Sequence, residues 1–156
     1  MEDKIIIRRE TKADTRTCDT KNVSLKDLVE ATLQHIQDVG NCMQFFAESL
    51  INNTKNHDNT KMSGIEQFYA DFKTKFEQHS WYDMHKVKER HHLDKPEGVR
   101  ADVNLLDVLE HVADCVAAGY ARGGEVYDLE LPNEVLQKAF KNTVELLKNK
   151  VELVDE

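Results

Sequence analysis

Between Ser24 and Leu50 the apolar residues recur at helical spacing, and this pattern limits what the chain can fold into more than any other feature. Leu25, Leu28, Val29, Thr32, Ile36, Val39, Met43, Phe46 and Leu50 share one face of a helix. Ser24 with Asp27 three residues on is a capping-box variant that starts it. The pattern predicts an end near Leu50 or Ile51 and allows a bend at Gly40. Further helical segments follow. Ser63 and Glu66 predict a capped helix carrying Ile65, Phe68, Tyr69, Phe72 and Phe76. Another helix covers Trp81 to His91, and residues 103–121 form a strong helix ended by Gly123 and Gly124. Pro132 opens a last helix through about Leu153. The stretch Leu93 to Val99 contains Pro96 and Gly98 and reads as loop. There is no internal repeat. The expected fold class is all-α.

Residues 1–23 read separately. Ile5-Ile6-Ile7 suits one short strand, and the polar run from Glu10 to Asn22 suits a loop. The expected organisation is an N-terminal arm over residues 1–23 and a single helical domain over residues 24–156. A loose arm of this kind invites exchange between copies, so a homo-oligomer is compatible with the sequence.

Composition bounds the function. The chain has 156 residues, 29 of them acidic and 21 basic, for a formal net charge of −8. That balance argues against nucleic acid as a partner, because non-specific affinity there comes from surplus Lys and Arg. It leaves room for a small anionic substrate, since a bound divalent cation reverses the local field of an acidic site. Cys18, Cys42 and Cys115 are odd in number and show no paired spacing, so no disulfide framework or four-cysteine zinc site follows. No apolar run approaches the roughly 20 residues of a membrane span, and the N-terminal residues lack the apolar core of a signal peptide. The expectation is a soluble, cytoplasmic protein with no membrane partner.

The residues that carry chemistry centre on His57-Asp58, with Lys61 three residues further on. Adjacent imidazole and carboxylate groups can reach one divalent cation, and this donor pair suits Zn, Mn, Fe or Ni. Other candidate donors are spread along the chain. His35 lies seven residues after Leu28 and four before Val39, on the face that the periodicity makes inward. His91 and His92 follow the third predicted helix. Asp107, Glu110, His111 and Asp114 sit at i, i+3, i+4 and i+7, on one stripe opposite Leu105, Leu109, Val112 and Val116. Such a stripe is usually a solvated face, and it becomes a site only when another layer covers it. Asp71, Glu77, Asp83 and Glu89 read as ordinary solvated charges, His79, His85 and His111 as scattered residues, and Trp81 and Tyr82 as core or rim.

The run His57-Asp58-Asn59-Thr60-Lys61 resembles the HD-x-x-K motif of the HD superfamily of metal-dependent phosphohydrolases. It is similar in more detail to a small family of HD-like helical proteins of bacteria and phages. Members of that family carry Asn-His-Asp-x-Ser-Lys, a later His-His segment and a Glu-x-x-x-Asp step. Here these read Asn56 to Lys61, His91-His92 and Glu110 to Asp114, with Thr60 for Ser and Cys115 where the family often has Trp. The likeness spans about residues 30–122 and implies an HD-domain-like helical bundle. It implies one or two divalent cations (Mn, Fe, Zn, Ni or Mg) held by His35, His57, Asp58, His91, His92 and Asp114. It implies that Lys61 faces a substrate phosphate, with Asp58 at the metal and Glu110 as an orienting or proton-shuttling carboxylate. Asp107 competes with Asp114 as the distal ligand, and the Val112-Ala113 context favours Asp114. The implied activity is hydrolysis of a nucleotide or other small phosphate ester by metal-activated water. Two other readings fit the residues: a module that binds a metal or nucleotide without cleaving it, and an acidic phage-type protein that binds and inhibits a host protein.

Overall fold

Ser24 and Asp27 form the expected capping box: the Asp27 amide donates to Ser24 Oγ at 3.1 Å, and the Ser24 amide donates to Asp27 Oδ2 at 3.2 Å. Two orphan amides of the helix start are thereby satisfied. The helix they open, α1, spans Leu25–Asn56, five residues beyond the predicted end. The computed structural model describes residues 4–16 and 18–155. Residues 1–3 and 17 of the expected arm, and residue 156 of the expected body, lie outside the described residues. The remaining elements are β1 (Ile5–Arg8), α2 (Asn59–Ser63), α3 (Ile65–Lys73), α4 (Ser80–Lys88), α5 (Leu105–Gly123), α6 (Asn133–Lys150) and β2 (Val151–Val154). The fold is all-α apart from the small β1–β2 pair. Among the described residues no helix is long and apolar enough to cross a membrane.

Two predicted boundaries are corrected. The last helix stops at Lys150, because Val151–Val154 pairs in parallel with Ile5–Arg8, Ile5 opposite Val151 and Arg8 opposite Val154. Val151, Leu153 and Val154 belong to the residue types that favour strands, so a partner strand redirects them. The helix carrying Phe68 has no Ser63–Glu66 box; Gly64 is its N-cap and makes no side-chain cap bond.

The chain forms two compact units. The first comprises the described residues up to Glu48 together with 145–155; the second is Ser49–Val144. In the first unit the sequence expectation for α1 is reversed. Leu25, Leu28, Val29, Leu33, Ile36, Val39 and Met43 are exposed, while the helix buries Asp38 and half-buries Asp27, Ala31 and Gln34.

The second unit has a small apolar core of Leu93, Val103, Val135 and Ala139, flanked by Val99, Leu105, Val108 and Leu131. Polar ties lock this core. Thr143 Oγ1 accepts from the Leu105 amide and donates to the Ala139 carbonyl, both at 2.8 Å. Asn142 donates to the carbonyls of Ala101 and Val103. Asn104 and Asp107 cap α5 reciprocally, and Gly124 ends it at φ 78°, a left-handed conformation that glycine adopts without strain. Asp71, which reads in the sequence as a solvated charge, is buried and accepts from the amides of Trp81 and Tyr82 at 3.1 and 3.2 Å. It therefore caps the start of α4 from outside that helix.

Trp81 packs on Phe68 at 4.5 Å and stacks on His85 at 4.9 Å between centroids. It also lies against Gly64, where an added Cβ would sit 2.6 Å from Trp81 Nε1. A buried indole packed against both Phe68 and His85 cannot easily yield that space. Gly64→Ala is expected to destabilise the protein by about 1–3 kcal/mol, and to shift the emission of the single tryptophan. Denaturant unfolding followed by fluorescence checks both.

Candidate metal centre

α1 ends at Asn56 and α2 begins at Asn59, so two residues must turn the chain. Asp58 does so at φ 56° and ψ 22°, a left-handed conformation that Asp tolerates better than most residues. The break directs His57 and Asp58 into the interior of the second unit. There they meet His85 from α4, His91 and His92 from the segment after it, and Glu110 and Asp114 one turn apart on α5. The acidic stripe of α5 is thus covered by another layer, the condition under which it becomes a site.

The distances fall into two classes. Ordinary hydrogen bonds orient the rings. Glu110 Oε1 lies 2.9 Å from His57 Nδ1. A carboxylate only accepts, so His57 donates from Nδ1, and the neutral ring presents a bare Nε2. Thr60 Oγ1 lies 2.5 Å from Glu89 Oε1 and 2.6 Å from His85 Nδ1. The hydroxyl proton goes to Glu89, so Thr60 accepts from His85 Nδ1, and His85 also presents a bare Nε2. His111 Nδ1 donates to the His91 carbonyl at 2.8 Å and fixes that backbone.

The second class lies inside the ring of donors. His57 Nε2 is 3.5 Å from Asp58 Oδ2 and 3.6 Å from Asp114 Oδ1. Asp58 Oδ1 is 3.4 Å from His85 Nε2 and 3.8 Å from His91 Nε2. His91 Nε2 is 4.0 Å from Asp114 Oδ2. These separations are too long for good hydrogen bonds. Ligands about 2.0–2.2 Å from one tetrahedral cation stand about 3.3–3.6 Å from one another, and three of these five distances fall in that range. Asp58 Oδ1 and both ring nitrogens of His91 are buried with no hydrogen-bond partner, a state that is costly unless something else engages them. The donors group as His57, Asp58 and Asp114; as His85, His91 and His92; and as His57, His91 and Glu110. These His, Asp and Glu groups could hold a metal ion.

Electrostatics follow the same geometry. Burial pulls the His57 imidazole down, but its bond to Glu110 and the charges of Asp58, Asp114 and Glu110 leave it raised overall. Burial pushes the Asp58 carboxyl up, yet the Lys61 ammonium paired with Oδ2 and the neighbouring imidazoles leave it lowered. Burial lowers His85. Burial and the adjacent His91 and His85 lower His92 to about 4; its Nε2 lies 2.9 Å from that of His85.

The structure brings together His57, Asp58, Lys61, His91, His92, Glu110 and Asp114. His35 lies exposed in the first unit and belongs to none of the donor groups among the described residues. Its assignment rested on the apolar stripe facing inward, which it does not. Asp107 is also outside the cluster. It is buried and receives Arg90 Nε and Nη2 at 2.7 and 2.8 Å, a bidentate pair that Asp102 extends. Sequence reasoning missed His85, Glu89 and His111. The available signal was the spacing of His85, six and seven residues before His91 and His92 and four after Trp81.

Two outcomes are expected. Asp114→Ala should lose bound metal with the fold retained, whereas Asp107→Ala should keep the metal and lose about 1–3 kcal/mol by removing the α5 cap and two bonds to Arg90. Metal analysis beside thermal unfolding separates them. The second outcome concerns pH. His92 titrates near 4 when folded and near 6.5 when unfolded, so its contribution is present above 6.5 and is lost as pH falls from 6.5 towards 4. His85 acts in the same sense and His57 in the opposite one. Chelated protein should lose melting temperature across that window, and His92→Gln should flatten the loss.

No family model, no curated protein and no solved structure matches the chain.

Proposed function

We propose that the chain is a metal-dependent phosphohydrolase of the HD type, acting on a nucleotide or other small phosphate ester. The observation that carries this reading is the buried ring of imidazole and carboxylate donors with unpartnered atoms facing inward and a lysine at its edge. His57, Asp58 and Asp114 would hold one divalent cation, and His85, His91 and His92 would form a second position, with Asp58 Oδ1 facing that second set. When bound, the cation supplies Lewis-acid polarisation of a phosphoryl oxygen and a water of lowered pKa.

The chain's own groups do the rest. Glu110 holds His57 in the tautomer that frees Nε2, and Glu89 does the same for His85 through Thr60. Such outer partners typically set 10–100-fold of metal affinity. Lys61 carries the positive charge that would face the non-bridging oxygens as negative charge builds on them. Beside His57, Glu110 and Asp114 opens a cavity of about 310 Å³, walled by Leu50, Leu109, Ala113 and Ala117 with Asn53 and Thr54. Its volume and apolar walls fit the organic part of a small ester, while the carboxylates keep an anion away from the site until a cation is in place.

The test begins with elemental analysis of the purified wild type beside Asp58→Ala. Near-stoichiometric transition metal in the wild type, lost in the variant with helical content unchanged, is the expected result. Hydrolysis of a chromogenic phosphate ester by the metal-loaded wild type should then fall about 10²–10³-fold in kcat in Lys61→Ala. Undiminished turnover by Asp58→Ala rules the mechanism out. Metal binding without turnover, across several divalent ions, would favour the non-catalytic binding module.

A further inference from the structure

The first unit is inside out for a free-standing monomer. None of the hydrophobic residues that are fully buried among the described residues belongs to it; all six lie in the second unit. Its helix packs its polar side inward. Asp38 is buried and accepts from Gln34 at 2.8 Å, while the apolar side stands in solvent, with Leu25 77% exposed and Ile36 and Met43 each 61% exposed. A unit of this size has little surface to bury even when its apolar face is used. β1 and β2 form a two-stranded sheet with both outer edges unpaired, marginal at best without further cover.

The exposed side has an order of its own. Leu25, Val29, Thr32, Ile36, Val39 and Met43 are spaced four, three, four, three and four residues apart. That is the 3.5-residue repeat of a coiled-coil seam, with β-branched Val29 and Ile36 on one of its two rows. Leu28 and Leu33 widen the seam. At roughly 100 Å² each, its exposed apolar side chains offer on the order of 700 Å², close to the ~800 Å² per partner of a standard stable interface.

We infer that this face of α1 is the interface of a homodimer, covered by the same face of a second copy. Three observations choose a second copy over an unlike partner. A seam repeating every 3.5 residues interlocks with another of the same repeat, so it is complementary to itself across a two-fold axis. Its area matches what a dimer of this size class needs. And two chains of formal charge −8 repel unless they join along an uncharged surface, and none of the six seam residues is charged.

Sedimentation of the full chain from about 1 to 100 µM, with the melting temperature followed over the same range, tests this. The expected result is a particle of twice the 18.0 kDa chain mass whose melting temperature rises with concentration. The pair Ile36→Glu and Val39→Glu should give a monomer with the metal content of the wild type, since the donor cluster lies in the second unit. Ile36→Ala, which asks less of folding, should raise the dimer dissociation constant at least tenfold. A wild type that stays monomeric, including one that then captures an unlike partner, overturns the inference. So does an oligomer whose mass and midpoint neither variant changes.

Discussion

Asp58 holds together a group of charges that would otherwise not tolerate burial. Its Oδ1 faces His85 and His91, its Oδ2 faces His57 and Lys61, and it reaches all four because its backbone is left-handed where α1 breaks. Asp58, Glu110 and Asp114 bring three carboxylates into one small volume, with Lys61 as the adjoining permanent cation. Carboxylates so placed either take up protons or find compensating positive charge. The lowered Asp58 and raised His57 show which way the balance runs: the cluster is poised to attract cations. A divalent ion could engage the unpartnered Asp58 oxygen together with one ring nitrogen of His91, and its binding free energy would add to the stability of a unit whose apolar core is small.

Much of this was legible in the sequence, for physical reasons that differ from residue to residue. The His57-Asp58 pair could be read because adjacent donors at a helix break converge whatever the rest of the fold does. Glu110 and Asp114 could be paired because i, i+4 spacing on a helix guarantees a shared face. Glu89 could not be read, because its role is to accept from Thr60, 29 residues away, and nothing local distinguishes it from a solvated acid. His85 falls between these cases. Its helix was foreseen, but its burial depends on Trp81 stacking over it, a contact that periodicity does not report.

The misread helix faces of α1 and α5 share one cause. Reading the apolar stripe of a helix as its inward side assumes that the interior is apolar. In α1 the apolar side is outside and Asp38 is buried. In α5 Leu109 and Val112 are exposed while Asp107 and His111 are buried. The assumption that placed His35 inside therefore also made the acidic stripe of α5 look like a surface. Where a unit buries polar groups in place of a full apolar core, the polar stripe marks the inside and the apolar stripe a surface.

The spacing within His57-Asp58-Asn59-Thr60-Lys61 then has a physical reading. Asp58 immediately precedes α2, so Thr60 and Lys61 fall on its first turn, two and three residues beyond the turning carboxylate. From there Lys61 reaches back to Asp58 Oδ2, and Thr60 reaches across to Glu89 with both its amide and its hydroxyl. One residue fewer between Asp58 and Thr60 would rotate the hydroxyl by about 100° around the helix and break the relay to His85. The consequence is chemical. His57 donates its Nδ1–H to Glu110 directly, and His85 donates its own to Thr60, whose hydroxyl donates in turn to Glu89. Both rings thereby turn the same nitrogen, Nε2, toward Asp58. Two imidazoles from separate elements are oriented alike by two different carboxylates, directly by Glu110 and through Thr60 by Glu89.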